Sequence, residues 1–261
     1  MEEIALRRAI QVTKEAYARA KRHKNVVEGV QGKEGRDIVS EVDKFMEREL
    51  VKGLKRFYPN HTFIGEEFGT QNQHGGEYEW KIDPIDGTIN FVAGLPLFST
   101  TLALRRKKET VMGVVFDWTN KDIYWAIKGK GAFRNRKKLQ VSNETDIKNA
   151  VVTVNLTSHY NEKHTKDTLE IISRLASKTR GVRVVVSGAI ELAWLASGKT
   201  DAKIKVKPSD GIGCTAGRLL VTEAGGCVTS LQGEALQPVD NHLASNGKIH
   251  EQVSKLLKGI V

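Results

Sequence analysis

The sequence predicts a layered α/β (α+β) sandwich, and the order of its patterns carries this prediction. Apolar residues recur at helical spacing near the N-terminus, strand-like runs fill residues 62–140, and strands alternate with helical stretches after about residue 145. Helices followed by an antiparallel sheet and then by α/β layers are typical of a layered sandwich. We expect residues 1–261 to form a single domain in two interlocked halves, 1–143 and 144–261.

Two helices are predicted before residue 60. The first has an apolar stripe that runs from Ile4 to Ala20, with charged residues between the apolar positions. A glycine-containing polar stretch over residues 31–36 then predicts a loop. Ser40 and Asp43 fit a capping box that opens the second helix. The apolar stripe of that helix consists of Met46, Leu50, Leu54 and Phe57.

The middle of the chain reads as strands separated by short charged or Asn/Gly turns, which predicts an antiparallel meander. The predicted strands cover residues 62–64, 79–82, 97–104, 111–118 and 123–127. The C-terminal half predicts strands at 150–154 and 182–186. Its predicted helices include residues 169–175, 189–196, the stretch from Asp210 to Gly225, and 249–257.

Composition and charge narrow the class of protein. Hydrophobic residues make up 39% of the 261 residues and charged residues 28%, which is typical of a globular protein. The 41 Lys and Arg exceed the 31 Asp and Glu, for a formal charge of +10. Such an excess is compatible with nucleic acid, a membrane surface, an anionic small substrate, or with solubility alone.

Targeting and redox signals point to the cytoplasm. The sequence has no uninterrupted apolar run of membrane-spanning length and no secretory signal at its acidic start, so we expect no membrane association. Cys214 and Cys227 lack CxxC spacing and have no nearby His, which argues against zinc or dithiol chemistry. Two reduced thiols are the expectation.

The most informative segment places Asp83 and Asp86 three residues apart at the end of a predicted strand. Pro84 keeps Asp83 out of helical geometry, so the spacing predicts a turn that aims both carboxylates into one space. Adjacent carboxylates repel unless a cation separates them, and ligation by oxygen alone favours a hard ion such as Mg²⁺. Gly87 and Thr88 follow where a short helix can begin, and their N–H groups could receive a phosphate.

Other acidic segments accompany this turn. Glu66 and Glu67 directly follow a predicted strand, 17 residues before Asp83 in the case of Glu66. Asp43 lies upstream, and Asp210 opens a predicted helix downstream. Each of these acids alone is more typical of a solvated turn or a helix cap. Glu223, near the end of the helix that follows Asp210, is expected to be structural rather than a ligand.

In this order the segments resemble the inositol monophosphatase family, within the group of magnesium-dependent, lithium-sensitive phosphatases. The resemblance covers nearly the whole chain and is carried by the motif 83–88 (DPIDGT), by 65–67 (GEE) and by the block from Asp210 to Gly226. It implies an αβαβα sandwich and a homodimer with two or three Mg²⁺ per active site. The implied activity is hydrolysis of a small sugar or polyol phosphate, foremost inositol 1-phosphate, by activated water without a covalent intermediate.

The resemblance also implies a role for each matching residue. Glu66, Asp83 and the Ile85 carbonyl would hold one metal, and Glu66 would also reach a third. The second metal would be held by Asp83, Asp86 and Asp210. Thr88 would hydrogen-bond to Asp43, and this pair would orient and help deprotonate the attacking water, while Glu67 would support Glu66. The implied substrate contacts are Asp86, Gly87, Thr88, Ser187, Gly188, Lys205 and Asp210.

Departures from the family pattern leave the substrate open. Ser209 stands where the family usually has Trp, and Lys205 stands where animal-type enzymes carry an acid that binds inositol hydroxyls. The segment 186–189 (VSGA) is altered as well. Lys203, Lys205 and Lys207 alternate on a predicted strand and are expected to share one face. That face is either solvated or a cationic wall that favours a second phosphate.

Fructose-1,6-bisphosphatase activity, as the main or a dual activity, is therefore the first alternative. Phosphatase activity on NADP or 3′-phosphoadenosine phosphate is the next. Nucleic-acid binding is the alternative from another class, since basic clusters cover residues 19–24, 105–108 and 134–138. These clusters fall in turns or at a helix end and lack interleaved aromatic residues, which argues against it.

Overall fold

The computed structural model describes residues 1–22, 31–32, 38–39, 41–72, 76–157, 160–207, 211–235 and 241–260. Seven helices lie within these ranges. They are α1 (Glu2–Ala20), α2 (Glu41–Lys55), α3 (Thr88–Val92), α4 (Glu162–Ala176), α5 (Gly188–Ala196), α6 (Ile212–Glu223) and α7 (His250–Leu257). Ser40, expected to cap α2, and Asp210, expected to open α6, lie outside the described residues.

The described strands form three sheets. The small sheet pairs β1 (Gln31–Gly32) with β2 (Ile38–Val39), so the predicted loop at 31–36 begins with a strand. The large sheet has the order β10-β9-β8-β7-β6-β5-β3-β4. Its strands are β3 (Thr62–Gly65), β4 (Gly69–Gln71), β5 (Tyr78–Asp86), β6 (Ser99–Arg106), β7 (Glu109–Asp117), β8 (Ile123–Ile127), β9 (Gly131–Arg134) and β10 (Lys137–Lys138).

The third sheet is mixed and has the order β12-β11-β13-β15-β14. Its strands are β11 (Val151–Asn155), β12 (Gly181–Arg183), β13 (Ala202–Lys205), β14 (Cys227–Thr229) and β15 (His242–Ser245). The strand predicted at 182–186 is shorter than expected because the chain leaves the sheet after Arg183 to enter α5. The predicted antiparallel meander is confirmed from β5 to β10, whereas β3 joins β5 in parallel.

Alternation along β5 shows how the layers are built. Trp80 and Ile82 point into the core formed with α1 and α2, while Lys81 and Asp83 lie on the opposite face. That opposite face is covered by α5 and α6, which pack in turn against the five-stranded sheet. α4 and α7 cover the far side of that sheet. The order of layers is αβαβα, as the resemblance implies.

Close packing of α6 on the large sheet depends on small residues. A Cβ placed on Gly113 of β7 would lie 2.9 Å from the Cα of Ala216 in α6. Both cysteines are free thiols, Cys214 buried in α6 and Cys227 half-buried. No helix in the described ranges is long and apolar enough to span a membrane. The assignment of the whole chain to one domain in two halves stays a prediction.

Glu223 is structural, as expected. Its carboxylate at the end of α6 accepts the backbone N–H of Gly129 at 2.8 Å and that of Gly131 at 2.7 Å. Both amides belong to the tight turn between β8 and β9, where both glycines have positive φ. The carboxylate therefore fastens α6 to the edge of the large sheet.

We expect Glu223→Ala to lower the free energy of unfolding by about 1–3 kcal/mol, since two backbone donors lose a charged acceptor. Denaturant unfolding measures this loss. The matched control is Glu170→Ala on α4, which removes an exposed ion pair with Arg174 and should cost less than about 1 kcal/mol. Equal losses in the two variants would contradict the anchoring role of Glu223.

Candidate active site

The end of β5 carries the central acids of the site. Asp83 is buried and Asp86 half-buried, and the pairing of β5 with β6 is irregular between them. Pro84 has no N–H to offer the ladder, and its carbonyl accepts the Thr100 hydroxyl at 2.7 Å. The irregularity breaks strict alternation, so the charge of Asp86 lies close enough to raise the pKa of Asp83.

The pKa of the Asp83 carboxyl is strongly perturbed. Burial raises its pKa well above the ordinary value, and the charges of Glu66 and Asp86 raise it further. A hydrogen bond with Glu66 and the charge of Asp43 act in the same direction. The Asp83 Oδ1 atom is buried and has no hydrogen-bond partner among the described residues. Four acids from β5, α2 and the turn after β3 are thus brought together, as the sequence predicts.

Asp86 is held by the N-terminus of α5. The Ser187 hydroxyl donates to its Oδ2 atom at 2.6 Å, and the N–H groups of Gly188 and Ala189 donate to the carboxylate at 3.0 and 2.9 Å. Ser187 is fully buried, and a contact of Ser187 with substrate stays a prediction. Ser187 and Gly188 engage Asp86 because α5 starts directly against it. The preceding Val186 has φ 61°, a strained conformation for a β-branched residue.

Thr88 and Asp43 form the expected pair. The Thr88 hydroxyl lies 3.2 Å from Asp43 Oδ1 and 3.0 Å from the Ile85 carbonyl oxygen, both of which are acceptors. Asp43 is only 1% exposed, on the first turn of α2. Gly87 adopts φ 94°, which lets the chain turn from β5 into α3 at Thr88. The two side chains therefore meet beside the Asp83 carboxyl, although their residues are 45 positions apart.

Sequence reasoning missed Glu47, which organises the turn that carries Glu66. Glu47 is fully buried on α2, and its carboxylate accepts the N–H of Glu67 at 2.7 Å and that of Phe68 at 3.1 Å. It also accepts the Gln71 amide at 3.1 Å. A Cβ on Gly65 would lie 1.9 Å from Glu47 Oε1, so only glycine fits there. The i, i+4 spacing from Asp43 was the available signal, since it places both acids on one helix face.

The first turn of α6 closes the site from the other side. A Cβ on Gly213 would lie 2.5 Å from Asp83 Oδ2 and 3.4 Å from Asp86 Oδ1. A side chain at this position would press on the Asp83 carboxyl, so glycine keeps that side of the carboxyl open. Asp210 and Ser209 lie outside the described residues, and the role expected for Asp210 stays a prediction.

Lys203 does not belong to an exposed cationic face. It is fully buried and forms an ion pair with the equally buried Glu191 of α5. Burial lowers its pKa, but Glu191 beside it, with Cys214 and Asp86, brings the pKa above the ordinary value. Lys205 ends β13 half-buried, and half-buried Lys207 follows the strand. The expected cationic wall is therefore wrong for Lys203, which α5 covers, and stays a prediction for Lys205 and Lys207.

The donor set fits a hard divalent cation. Its atoms are carboxylate and carbonyl oxygens, and a cation would offset both the mutual repulsion of the acids and the unpaired Asp83 Oδ1. In the described part of the chain, no three His, Cys, Asp or Glu side chains already form a complete metal-binding group. Glu67 is half-buried behind Glu66, and a contribution of Glu67 to the support of Glu66 stays a prediction.

Comparison with known proteins gives a consistent result. The model of the inositol monophosphatase family matches residues 1–261. A fructose-1,6-bisphosphatase/inositol-1-monophosphatase of Thermotoga maritima is 34% identical over 243 residues, 92% of this chain and 90% of that protein. A Nus factor SuhB of Pasteurella multocida is 34% identical over 214 residues, 80% of this chain and 78% of that protein. The structure of an inositol monophosphatase (IMPase) of Thermotoga maritima superposes with a TM-score of 0.88 at 30% identity, covering 100% of this chain and 98% of that one.

We expect Glu47→Gln to lower the free energy of unfolding by about 1–3 kcal/mol, because its amide keeps one acceptor oxygen and turns an NH₂ group toward at least one donor of the turn. Denaturant unfolding measures the change. Glu49→Gln on the same helix is the matched control, since Glu49 pairs with Arg19 near the surface and should cost less than about 1 kcal/mol. A Glu47→Gln protein as stable as the control would contradict the role assigned to Glu47.

Proposed function

The chain belongs to the inositol monophosphatase family and is a phosphoric monoester hydrolase; on that premise, we propose that it hydrolyses a small sugar or polyol phosphate with the help of Mg²⁺. The observation that carries the proposal is the buried Asp83 carboxyl, which is surrounded by three other acids and lies beside the Thr88–Asp43 pair. A cation that bridges these acids and a phosphate would balance the charge of both.

Glu66, Asp83, Asp86 and the Ile85 carbonyl are the proposed metal ligands, with Asp210 as a further one. Bound Mg²⁺ would neutralise phosphate charge and stabilise the leaving alkoxide. The proposal covers two or three ions per site, as the resemblance implies. It rests on the oxygen-only donor set and on the orphaned Asp83 Oδ1, which is the kind of atom a hard cation ligates.

The chain's own residues supply the proton path. The Thr88 hydroxyl can accept a proton from the attacking water while it donates its own proton to Asp43 Oδ1, which lies 3.2 Å away. The water oxygen then bonds to phosphorus as the bond from phosphorus to the ester oxygen breaks. The leaving oxygen takes up a proton from solvent water, and Asp43 releases its proton to solvent. The amides of Gly87 and Thr88 are the proposed phosphate donors. No nucleophilic side chain is needed for this reaction.

Inositol 1-phosphate is the first proposed substrate, and fructose 1,6-bisphosphate is the alternative or second substrate. The printed name of the Thermotoga maritima relative combines both activities. Lys205 is the remaining candidate for contact with a second phosphate, since Lys203 is paired in the interior. NADP and 3′-phosphoadenosine phosphate are the next proposed substrates. A homodimer and a cytoplasmic location stay predictions.

Nucleic-acid binding is the less favoured alternative. In the basic cluster at residues 105–108, Arg105 pairs with Glu79, while Arg106 and Lys107 both pair with Glu77, so three of its four cations already have an acidic partner. The Pasteurella multocida relative is named a Nus factor, but that name describes the relative.

We expect Asp83→Asn to lower Mg²⁺-dependent phosphate release by about two orders of magnitude or more, because a charged ligand is lost. The same variant should melt at a higher temperature than the parent in EDTA near neutral pH. A raised pKa means that Asp83 contributes most to stability when protonated, below the ordinary carboxyl range, and that this contribution is lost as the pH rises. The difference in melting temperature should therefore shrink toward acidic pH.

Calorimetry in EDTA and a phosphate-release assay check both halves of this prediction. Glu162→Gln, which removes an exposed acid paired with Lys166, is the matched control and should leave both quantities nearly unchanged. Full activity of Asp83→Asn would overturn the proposed metal site.

The kcat/KM values for phosphate release from inositol 1-phosphate, fructose 1,6-bisphosphate, NADP and 3′-phosphoadenosine phosphate, with Mg²⁺, will rank the substrates. We expect Lys205→Ala to raise KM for fructose 1,6-bisphosphate about tenfold and KM for inositol 1-phosphate much less, because only the bisphosphate offers a second anion. Lys199→Ala, at an exposed turn before β13, is the control. Equal effects of Lys205→Ala on both substrates would remove Lys205 from the binding site.

A further inference from the structure

A basic cavity lies outside the carboxylate site. It has a volume of about 590 Å³ and opens between α6, β14 and the turn that joins β6 to β7. Its volume falls within the range of small-molecule sites in proteins. Five cations and a single acid, Glu109, are among the described residues that line it. The cations are Lys81, Arg105, Lys107, Lys108 and Arg218.

Three of the five cations are more than nine-tenths buried. Lys81 is 6% exposed, Arg105 7% and Arg218 8%. Two of the five cations already have acidic partners, Arg105 with Glu79 and Lys107 with Glu77. The five cations still outnumber these two acids and Glu109, so the described residues of the cavity keep a net positive charge that an anion would offset. Surface lysines alone would not form such a site, because water would screen them.

Lys81 reaches the cavity from the interior of the sandwich. It lies on the face of β5 that α6 covers, level with Ala103 of β6 and Gly113 of β7. A Cβ on Gly113 would lie 2.9 Å from the Cα of Ala216, so α6 lies directly over this row of the sheet. A covered sheet face normally carries apolar side chains, whereas this row carries the cation of Lys81 beside alanine and glycine.

Arg105 and Arg218 are each fixed by further contacts. Arg105 pairs with Glu79, and its Nε–H donates to the carbonyl of Lys108, itself a lining residue, at 2.9 Å, which holds the turn bearing Lys107 and Lys108. Arg218 contacts Nδ1 of the buried His242 at 3.1 Å. Burial, and then Arg218 with Lys203 and Lys205, holds the pKa of His242 well below its ordinary value, so the ring is neutral and accepts. His242 therefore positions the guanidinium as a neutral acceptor.

The types of side chain that line the cavity indicate the class of ligand it would bind. The hydroxyls of Thr110, Thr215 and Thr222 accompany the cations, and Leu219 and Val228 supply a small apolar wall. No aromatic side chain is among the described lining residues, so a nucleobase would find no stacking partner. We propose that this cavity is a binding site for a small polyanion with at least two phosphate-type groups, separate from the carboxylate site.

Inorganic pyrophosphate is the probe, titrated calorimetrically into the whole protein in EDTA, where the unneutralised carboxylates around Asp83 repel anions. We expect saturable binding of one pyrophosphate per chain. The double variant Lys107→Gln/Lys108→Gln should weaken it about tenfold or more, because charge-assisted contacts are lost. The matched control is Lys137→Gln/Lys138→Gln, two adjacent exposed lysines of β10 outside the cavity. It should change the affinity less than about twofold.

Arg218→Met adds a test of the interior of the cavity. Its folded state is checked by its circular dichroism and melting curve, and the folded variant should lose most of the binding. If Arg218→Met does not fold, the surface double variant alone decides. Equal weakening by the two double variants, or no saturable binding, would overturn the proposal. So would binding that requires Mg²⁺, because it would assign the pyrophosphate to the carboxylate site.

Discussion

Repulsion among the carboxyls around the buried Asp83 is the constraint that the rest of this structure accommodates. Asp83 is 3% exposed, and the acids nearest to it, Glu66, Asp86 and Asp43, come from three different elements of the chain. Because these carboxylates repel one another, the elements that carry them must be fixed to their neighbours by other contacts. Uncharged side-chain donors and backbone N–H groups around the site provide these contacts.

Two sets of these contacts are of the same chemical type: a carboxylate that accepts hydrogen bonds from backbone N–H groups. Asp86 receives the first amides of α5, and Glu47 receives the amides of the turn after Glu66. Donors of this kind stabilise negative charge without adding a titratable partner. Val186, with its strained φ, directly precedes the donors of α5. The strain therefore lies beside the residues that position Asp86.

Much of the fold and of the site was predictable from the sequence because local patterns determine them. The stripes of α1 and α2, the turn at Pro84 and the meeting of Thr88 with Asp43 follow from periodicity, proline chemistry and a family motif. Lys203 was wrongly interpreted because its burial depends on α5, and periodicity along one strand does not show which helix covers that strand. Glu47 was missed for a related reason: apart from its spacing to Asp43, its role depends on backbone amides about 20 residues away, which carry no sequence signal.

Two continuous elements link the acidic site to the basic cavity. Asp83 and Lys81 lie two residues apart on β5, and Gly213 and Arg218 lie five residues apart on α6. Strand and helix rise put each pair at a separation of roughly 7 Å. The layer between the sheet and α6 is therefore polarised along its length, with negative charge at one end and positive charge at the other. A phosphate ester at the acidic end lies in the field of fixed interior cations, which bulk salt screens only weakly.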